Sequence, residues 1–311
     1  MAFAPTRPGL PKLIATDLDG TLVRSDDTVS AYTHEVLDRV RAAGIRIVGA
    51  TGRGPRLTSL VRSDIRDADF LVLAQGGWVI DQQEGQILRS ERLPGSDLSA
   101  VLADLEAEVG PLSVMVEALE HDDSPLWGDY DPTWRYPVVV ERRSRAECLT
   151  GDVIKAFARS FDHHVDDLLA VAQRIVPPDV ASVTQAGLNY IEICPPDVDK
   201  GTGLAVVAQA VGVDPADVLV FGDMPNDLPM FAWAGYGRVA VANAHPQLAA
   251  AASTLGWALR TATRPHPAQA NIGRSLGMSP KTRTSAGSTP MAWATTARPV
   301  PLSTPAGQIS T

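Results

Sequence analysis

The amino-acid sequence predicts an α/β protein built on a doubly wound parallel sheet, with an α+β domain inserted into it. Three observations predict this. Short β-rich runs alternate with helical patterns over the first 83 residues and again from Lys200, the rhythm a parallel sheet requires. Between these stretches the pattern changes to strand-like pieces with hairpin signals and interspersed helices. Polar residues able to carry chemistry gather where strands end, and Rossmann-like sheets bind ligands beyond those ends.

In the first stretch, Leu13–Thr16 is a buried-strand run that ends at Asp17. Ser30 can N-cap a helix whose apolar residues Val36, Leu37, Val40 and Ala43 recur at helical spacing, with Gly44 as its stop. Ile45–Val48 is the next strand, ending at Thr51, and a shorter helix through Leu57, Leu60 and Val61 leads to the strand Phe70–Leu73. After Gly76-Gly77, the pieces Trp78–Ile80 and Ile87-Leu88 flank a turn at Glu84-Gly85. A helix from Ser96 to about Val109 is expected next, then strands at Leu112–Val116 and Val138–Val140. Helical stretches are expected around 152–160 and 164–173, and strands near 180–184 and 188–193. From Lys200 the rhythm resumes: a helix through Leu204, Val207 and Val211, the strand Val218–Phe221, a short helix, the strand Arg238–Val241, and an Ala-rich helix from His245. The expected division is a discontinuous core over 1–83 and 188–257, an inserted domain over 84–187, and a tail over 258–311.

Composition sets outer limits. The chain has 311 residues, 45% hydrophobic and 20% charged, which is the ordinary globular range and enough for two domains. No apolar run approaches the ~20 residues that cross a bilayer, and the opening lacks the apolar stretch of a secretory signal, so the cytoplasm is the expected location. Cys148 and Cys194 alone exclude a disulfide framework, and no Cys and His set has the spacing of structural zinc. The formal net charge of −9 argues against general affinity for nucleic acid phosphates. Nothing in the pattern sets the oligomeric state.

Four segments carry chemistry. Asp17-Leu18-Asp19-Gly20-Thr21 puts two carboxylates two positions apart at a strand end. One carboxylate can accept a phosphoryl group if a cation screens the repulsion, and the other can protonate a leaving oxygen; Asp and Gly are also common turn residues. Thr51-Gly52-Arg53 offers a hydroxyl to a phosphoryl oxygen. Lys200 opens a helix, where ammonium and helix N-terminus can face one anion, although a solvated lysine is the plainer alternative. Gly222–Asp227 sets Asp223 and Asp227 four apart around Asn226, an all-oxygen set suited to Mg²⁺ or, equally, a helix N-terminus with favourable acids. All four lie where a doubly wound sheet gathers its ligand.

These motifs resemble those of haloacid dehalogenase-superfamily phosphatases, specifically the Cof-type subgroup with a large cap inserted between the second and third motifs. Asp17–Leu22, Thr51–Arg53, Lys200–Thr202 and Gly222–Asp227 resemble the four motifs in order. Tyr190–Ile193 resembles the strand that returns to the core, and Asn243–Pro246 a loop after the last core strand. The resemblance implies Asp17 as nucleophile forming an aspartyl-phosphate and Asp19 as general acid and then base. It implies Thr51, Lys200 and Asn226 as phosphate-binding residues. Mg²⁺ would be held by Asp17, the carbonyl of Asp19 and Asp223, with Asp227 directly or through water. The implied function is hydrolysis of a small phosphomonoester: a sugar phosphate, nucleotide or cofactor-precursor phosphate. A phosphomutase and a non-catalytic phosphate-binding module are the alternatives.

Other residues receive plainer readings. Cys194 reads as a buried structural thiol, and the adjacent His163 and His164 as surface residues. Trp127, Tyr130, Trp134 and Tyr136 read as packing in the insertion or as cap–core contacts, with the lining of a substrate pocket as the alternative. The stretch 258–311 has no Asp or Glu and carries +6, leaving −15 on residues 1–257 of the chain's −9. Its composition predicts disorder. Such loss of acids with gain of Arg, Pro and Thr is what GC-rich coding sequence gives when read out of frame. A frameshifted tail is therefore one expectation, and a native basic tail for acidic partners the other.

Overall fold

The computed structural model describes residues 9–128, 139–185 and 189–253. In chain order the first elements are β1 (Leu13–Asp17), α1 (Ala31–Ala42), β2 (Arg46–Ala50), α2 (Thr58–Asp64), β3 (Phe70–Leu73), β4 (Trp78–Asp81) and β5 (Gln86–Ser90). The middle of the chain gives α3 (Gly95–Val109), β6 (Ser113–Glu117), β7 (Leu126–Gly128), β8 (Val140–Arg142), α4 (Arg145–Cys148), β9 (Lys155–Arg159), α5 (Val165–Ile175), β10 (Ser182–Gln185) and β11 (Ile191–Cys194). The last part gives α6 (Lys200–Val211), β12 (Val218–Gly222), α7 (Leu228–Trp233), β13 (Gly237–Ala240) and α8 (Pro246–Ala251).

Among the described residues two sheets result, both within one compact unit. The first has seven strands in the order β13-β12-β1-β2-β3-β4-β5, parallel from β13 to β3 and antiparallel at β4 and β5. Its parallel strands are apolar on both faces, because helices cover both. On one face Leu13, Val48, Val72 and Val220 pack against Leu204 and Val207 of α6 and Phe231 of α7. On the other Ile47, Leu71 and Leu73 pack against Leu37 of α1 and Val61 of α2. β1 lies at the centre, between β12 and β2, so the ends of three parallel strands converge: Asp17 is in register with Ala50, and Thr16 with Phe221.

The second sheet has six strands in the order β10-β11-β9-β6-β7-β8. One face, with Val114, Val116, Ala156, Ala158, Ile191 and Ile193, packs against Leu98, Leu102 and Leu105 of α3 and Leu168 of α5. The alternate residues carry Met115, Phe157 and Tyr190 on the opposite face, with the buried charges Glu117, Lys155 and Glu192 among them.

Several local expectations correspond to the structure. The Ser30 hydroxyl accepts the Thr33 N–H and caps α1, and Gly44 takes a left-handed φ of 76° just past its end. Three expectations are corrected. Residues 155–159, expected as helical, form β9; their alanines are good helix formers, but with Lys155 and Phe157 they alternate between faces that are both buried. Gln86–Ser90, assigned to the insertion, is the edge strand of the first sheet, and Ile191–Cys194, expected to return to the core, is an interior strand of the second. Both sit beside the crossings, where antiparallel strands on either side look alike in sequence. The tail 258–311, and Tyr130, Trp134 and Tyr136, lie outside the described residues; Trp127 is half-buried, with the Arg143 guanidinium 3.7 Å from its ring centroid. Among the described residues, no helix is long and apolar enough to cross a membrane.

Candidate active site

β1 delivers Asp17 to the middle of the parallel strand ends, and α6 brings Lys200 to it from the other side. Asp199 caps α6 by accepting the Thr202 N–H at 2.8 Å, while the Thr202 hydroxyl accepts the Asp199 N–H at 3.2 Å. The helix is thus fixed at its first residue, Lys200, whose fully buried ammonium donates to Asp17 Oδ1 and to Asp227 Oδ1, each at 2.6 Å. Asp227 is held in turn by its other oxygen, Oδ2, which accepts the N–H groups of Asp223 and Met224 at 2.9 and 3.1 Å.

Asp17, Asp223 and Asp227 offer carboxylate oxygens that all lie within 4.8 Å of one another. Glycine is required on both sides of this cluster. A Cβ at Gly20, whose φ is +87°, would lie 2.1 Å from Asp223 Oδ2, and one at Gly222 would lie 2.5 Å from Asp227 Oδ2. Thr21 Oγ1 donates to Asp223 Oδ1 at 3.4 Å, and Asn243 Nδ2 to the Gly20 carbonyl at 2.9 Å.

Three carboxylates and one ammonium make an anionic cluster, and the proton affinities register it. Burial pushes the Asp17 carboxyl up to about 8; Lys200 opposes the shift and Asp227 adds to it. Burial, then Asp227, pushes Asp223 up to about 6. Burial alone would lower the Lys200 pKa, but Asp17 and Asp227 outweigh it and hold the ammonium above its ordinary range. Asp17 Oδ2 is buried and accepts no hydrogen bond. An oxygen-only donor set with excess negative charge and an unsatisfied carboxylate oxygen fits a hard divalent cation.

The other residues singled out in the sequence lie around this cluster. Thr51 is buried directly after Ala50, the register partner of Asp17, and its Oγ1 accepts the Arg53 N–H at 3.1 Å. The Asp19 side chain is turned to Arg53, which donates Nε to Oδ2 at 2.8 Å and NH2 to Oδ1 at 2.6 Å. The remaining arm of Arg53 is anchored by Asp64 at 2.5 Å. Asn226 is buried and donates Nδ2 to Gln75 Oε1 at 3.2 Å. Cys194 is buried, with its thiol pKa raised by that burial, and His163 and His164 are exposed.

The second sheet reaches the same loops with residues that sequence reasoning passed over. Lys155 donates to the Gly52 carbonyl and, at 3.2 Å, to Glu192. Glu117 Oε1 accepts the Arg56 N–H at 3.2 Å, and its carboxylate sits so close to Gly54 that a Cβ there would lie 2.2 Å from both oxygens. Only Glu192 left a sequence signal: a lone charge between Ile191 and Ile193 in a strand buried on both faces.

A family model described as haloacid dehalogenase-like hydrolase matches residues 14–256. The chain is 28% identical over 264 residues to a 5-amino-6-(5-phospho-D-ribitylamino)uracil phosphatase, YwtE, of Bacillus subtilis, covering 76% of this chain and 90% of that one. It is also 28% identical over 249 residues to an HMP-PP phosphatase of Cronobacter sakazakii, covering 78% and 88%. Among solved structures, SMU.1108c of Streptococcus mutans superposes with a TM-score of 0.67 at 20% identity, over 78% of this chain and 92% of that one; this likeness speaks to the fold.

Proposed function

We propose, from the premise that this chain belongs to the haloacid dehalogenase-like hydrolases and is an enzyme of their phosphatase type, that it hydrolyses a small cytosolic phosphomonoester through an aspartyl-phosphate on Asp17. One observation carries the reading. Lys200 holds one oxygen of Asp17 while the other, buried and unpartnered, is left to attack phosphorus.

In the first step Asp17 Oδ2 forms a bond to phosphorus as the bond to the leaving oxygen breaks, and Asp19 supplies the proton that oxygen needs. In the second, Asp19 takes a proton from water as the water oxygen bonds to phosphorus. The Asp17–phosphorus bond breaks, releasing inorganic phosphate and restoring the carboxylate. Thr51, Lys200 and Asn226 would hold the phosphoryl oxygens. Mg²⁺, held by Asp17, Asp223, the Asp19 carbonyl and Asp227 directly or through water, would neutralise charge on the carboxylates and the phosphoryl oxygens. The general-acid role requires Asp19 to leave Arg53, since a carboxylate in a two-point ion pair has no proton to give.

The reading assigns the seven-stranded sheet to the catalytic core and the six-stranded sheet to a cap. Sheet membership supports crossings after Ser90 and Cys194, slightly later than the boundaries at 83 and 188. The relatives' names support a phosphorylated metabolite such as a cofactor precursor as substrate. Phosphate release from p-nitrophenyl phosphate and a panel of metabolite phosphates, with Mg²⁺, tests the proposal. Turnover that EDTA abolishes is expected; turnover indifferent to EDTA, or dependent on a bisphosphate activator, would overturn it.

A further inference from the structure

We infer that Glu192 and Gln75 form a polarised relay through which the six-stranded sheet fixes the amide of Asn226, making both of them positioning residues for the phosphoryl group. The inference rests on the proposed phosphate-binding role of Asn226. Four buried side chains form the chain of contacts: Lys155 donates to Glu192 Oε1 at 3.2 Å, Gln75 Nε2 donates to Glu192 Oε2 at 2.9 Å, and Asn226 Nδ2 donates to Gln75 Oε1 at 3.2 Å.

The direction of this chain is dictated by chemistry. A carboxylate only accepts hydrogen bonds, so Gln75 must turn its NH₂ group to Glu192. Its carbonyl oxygen then faces Asn226, which must answer with its own NH₂ group. An amide otherwise has two flipped states of similar shape; here one charge selects a single state through two links. Asn226 is left with its second Nδ2 hydrogen as a donor and with Oδ1, which is buried and has no hydrogen-bond partner. Asn226 and Gln75 both line a cavity of about 430 Å³, together with Ser182 and Thr184 of β10.

The backbone shows that Gln75 is held where the relay needs it. Ala74, Gln75 and Gly76 have φ values of 48°, 59° and 110°, three left-handed residues in succession and two of them not glycine. The Gln75 N–H donates to the Thr51 carbonyl at 3.1 Å, and that of Ala74 to the Arg53 carbonyl at 2.8 Å, tying the turn to the second motif. A Cβ at Gly76 would lie 2.1 Å from the Asp199 carbonyl oxygen, so the turn is also pressed against the start of α6. At the far end, Lys155 holds Glu192 and also the Gly52 carbonyl, next to Thr51. The orientation of Asn226 therefore depends on the six-stranded sheet being seated on these loops, which couples that seating to phosphoryl binding.

An exchange of charge tests this. Glu192→Gln keeps the shape but frees both amides to flip. It should lower kcat/KM and the affinity for inorganic phosphate, measured by calorimetry well below the variant's melting temperature, by about tenfold each. Gln75→Glu brings two carboxylates together and should cost about a hundredfold. The double variant restores one carboxylate and one amide at that contact, with Asn226 again facing an acceptor, and should recover to within about threefold of wild type. Phosphate affinity unchanged in Glu192→Gln, or a double variant no better than Gln75→Glu alone, would overturn the relay. Failure of the proposed function reads differently: turnover would survive in Asp17→Asn, whereas the relay stands or falls on the rank of the variants' phosphate affinities alone.

Discussion

The two sheets meet the site in different ways. The seven-stranded sheet presents Asp17, Thr51 and Asp223 at or just past strand ends, where backbone direction alone converges them. The six-stranded sheet presents Glu117 and Lys155 from the paired ends of β6 and β9, and Glu192 from within β11, along one face, to loops of the first. The difference teaches that topology places the chemistry, whereas side-chain alternation places what adjusts it. Substitutions in the two regions should therefore fail differently. The largest effect belongs to the first sheet: Asp17→Asn should lower phosphate release by about 10⁴-fold or more while leaving the fold intact, because the amide is a poor nucleophile of nearly the same shape. Residual turnover within a hundredfold of wild type would remove Asp17 from the centre of that sheet's role.

The second test sharpens the electrostatic side of the comparison. Asp17 at about 8 and Asp223 at about 6 lie above the ordinary carboxylate range that applies to the unfolded chain. Their folded-state pKa values are raised, so the stability they contribute is complete below the unfolded pKa and is lost as pH rises through the folded values. In EDTA the melting temperature should fall between about pH 5 and pH 8, and added Mg²⁺ should restore it most at the upper end. A metal-free protein that gains stability over that interval would contradict both the sign and the cation site.

Legibility in the sequence follows the same division. Leu13–Asp17 and Val218–Gly222 are short apolar runs closed by an acid or glycine, and that local pattern is sufficient to put Asp17 and Asp223 at neighbouring strand ends. Lys200 was legible as the start of a helix, but its contacts with Asp17 and Asp227, 183 and 27 residues away, come from packing α6 across the sheet. The second sheet hides its buried charges. Lys155 lies in a run whose alanines suggest a helix, and Glu117 closes a strand as any terminal acid could. The role of Gln75 was hidden for another reason: nothing in a Gln side chain announces a left-handed φ, which the surrounding loops impose.

Arg53 joins the two patterns, since the loop after β2 carries it and its fork holds Asp19 at two points and Asp64 at a third. Lysine is a point charge and cannot reproduce that geometry. Because Asp19 must leave Arg53 to act, the pair holds only its resting position, and Arg53→Lys should change kcat by no more than about threefold while lowering the melting temperature by a few degrees. A change confined to KM would make Arg53 a substrate contact instead.

The smallest expected effect tests whether the buried charges of the second sheet are kept for stability at all. Burial holds Glu117 above the usual carboxylate range, with Lys155 and Arg56 offsetting only part of the cost. Its ionised form is therefore a burden once pH exceeds the unfolded pKa. Glu117→Gln keeps an acceptor for the Arg56 N–H, and Lys155 stays paired with Glu192. Urea unfolding should show the variant more stable by up to about 1 kcal/mol near pH 7.5 and equal to wild type near pH 4, the sign that a raised carboxyl pKa requires. Removing Lys200 from the first sheet should do the opposite, leaving Asp17 and Asp227 without their cation. If Glu117→Gln is destabilising at pH 7.5, the charges of both sheets act as structural ion pairs and the contrast between them fails. If it stabilises while phosphate release falls, the second sheet has kept a costly carboxylate against Gly54 for the benefit of the loop that carries Thr51 and Arg53.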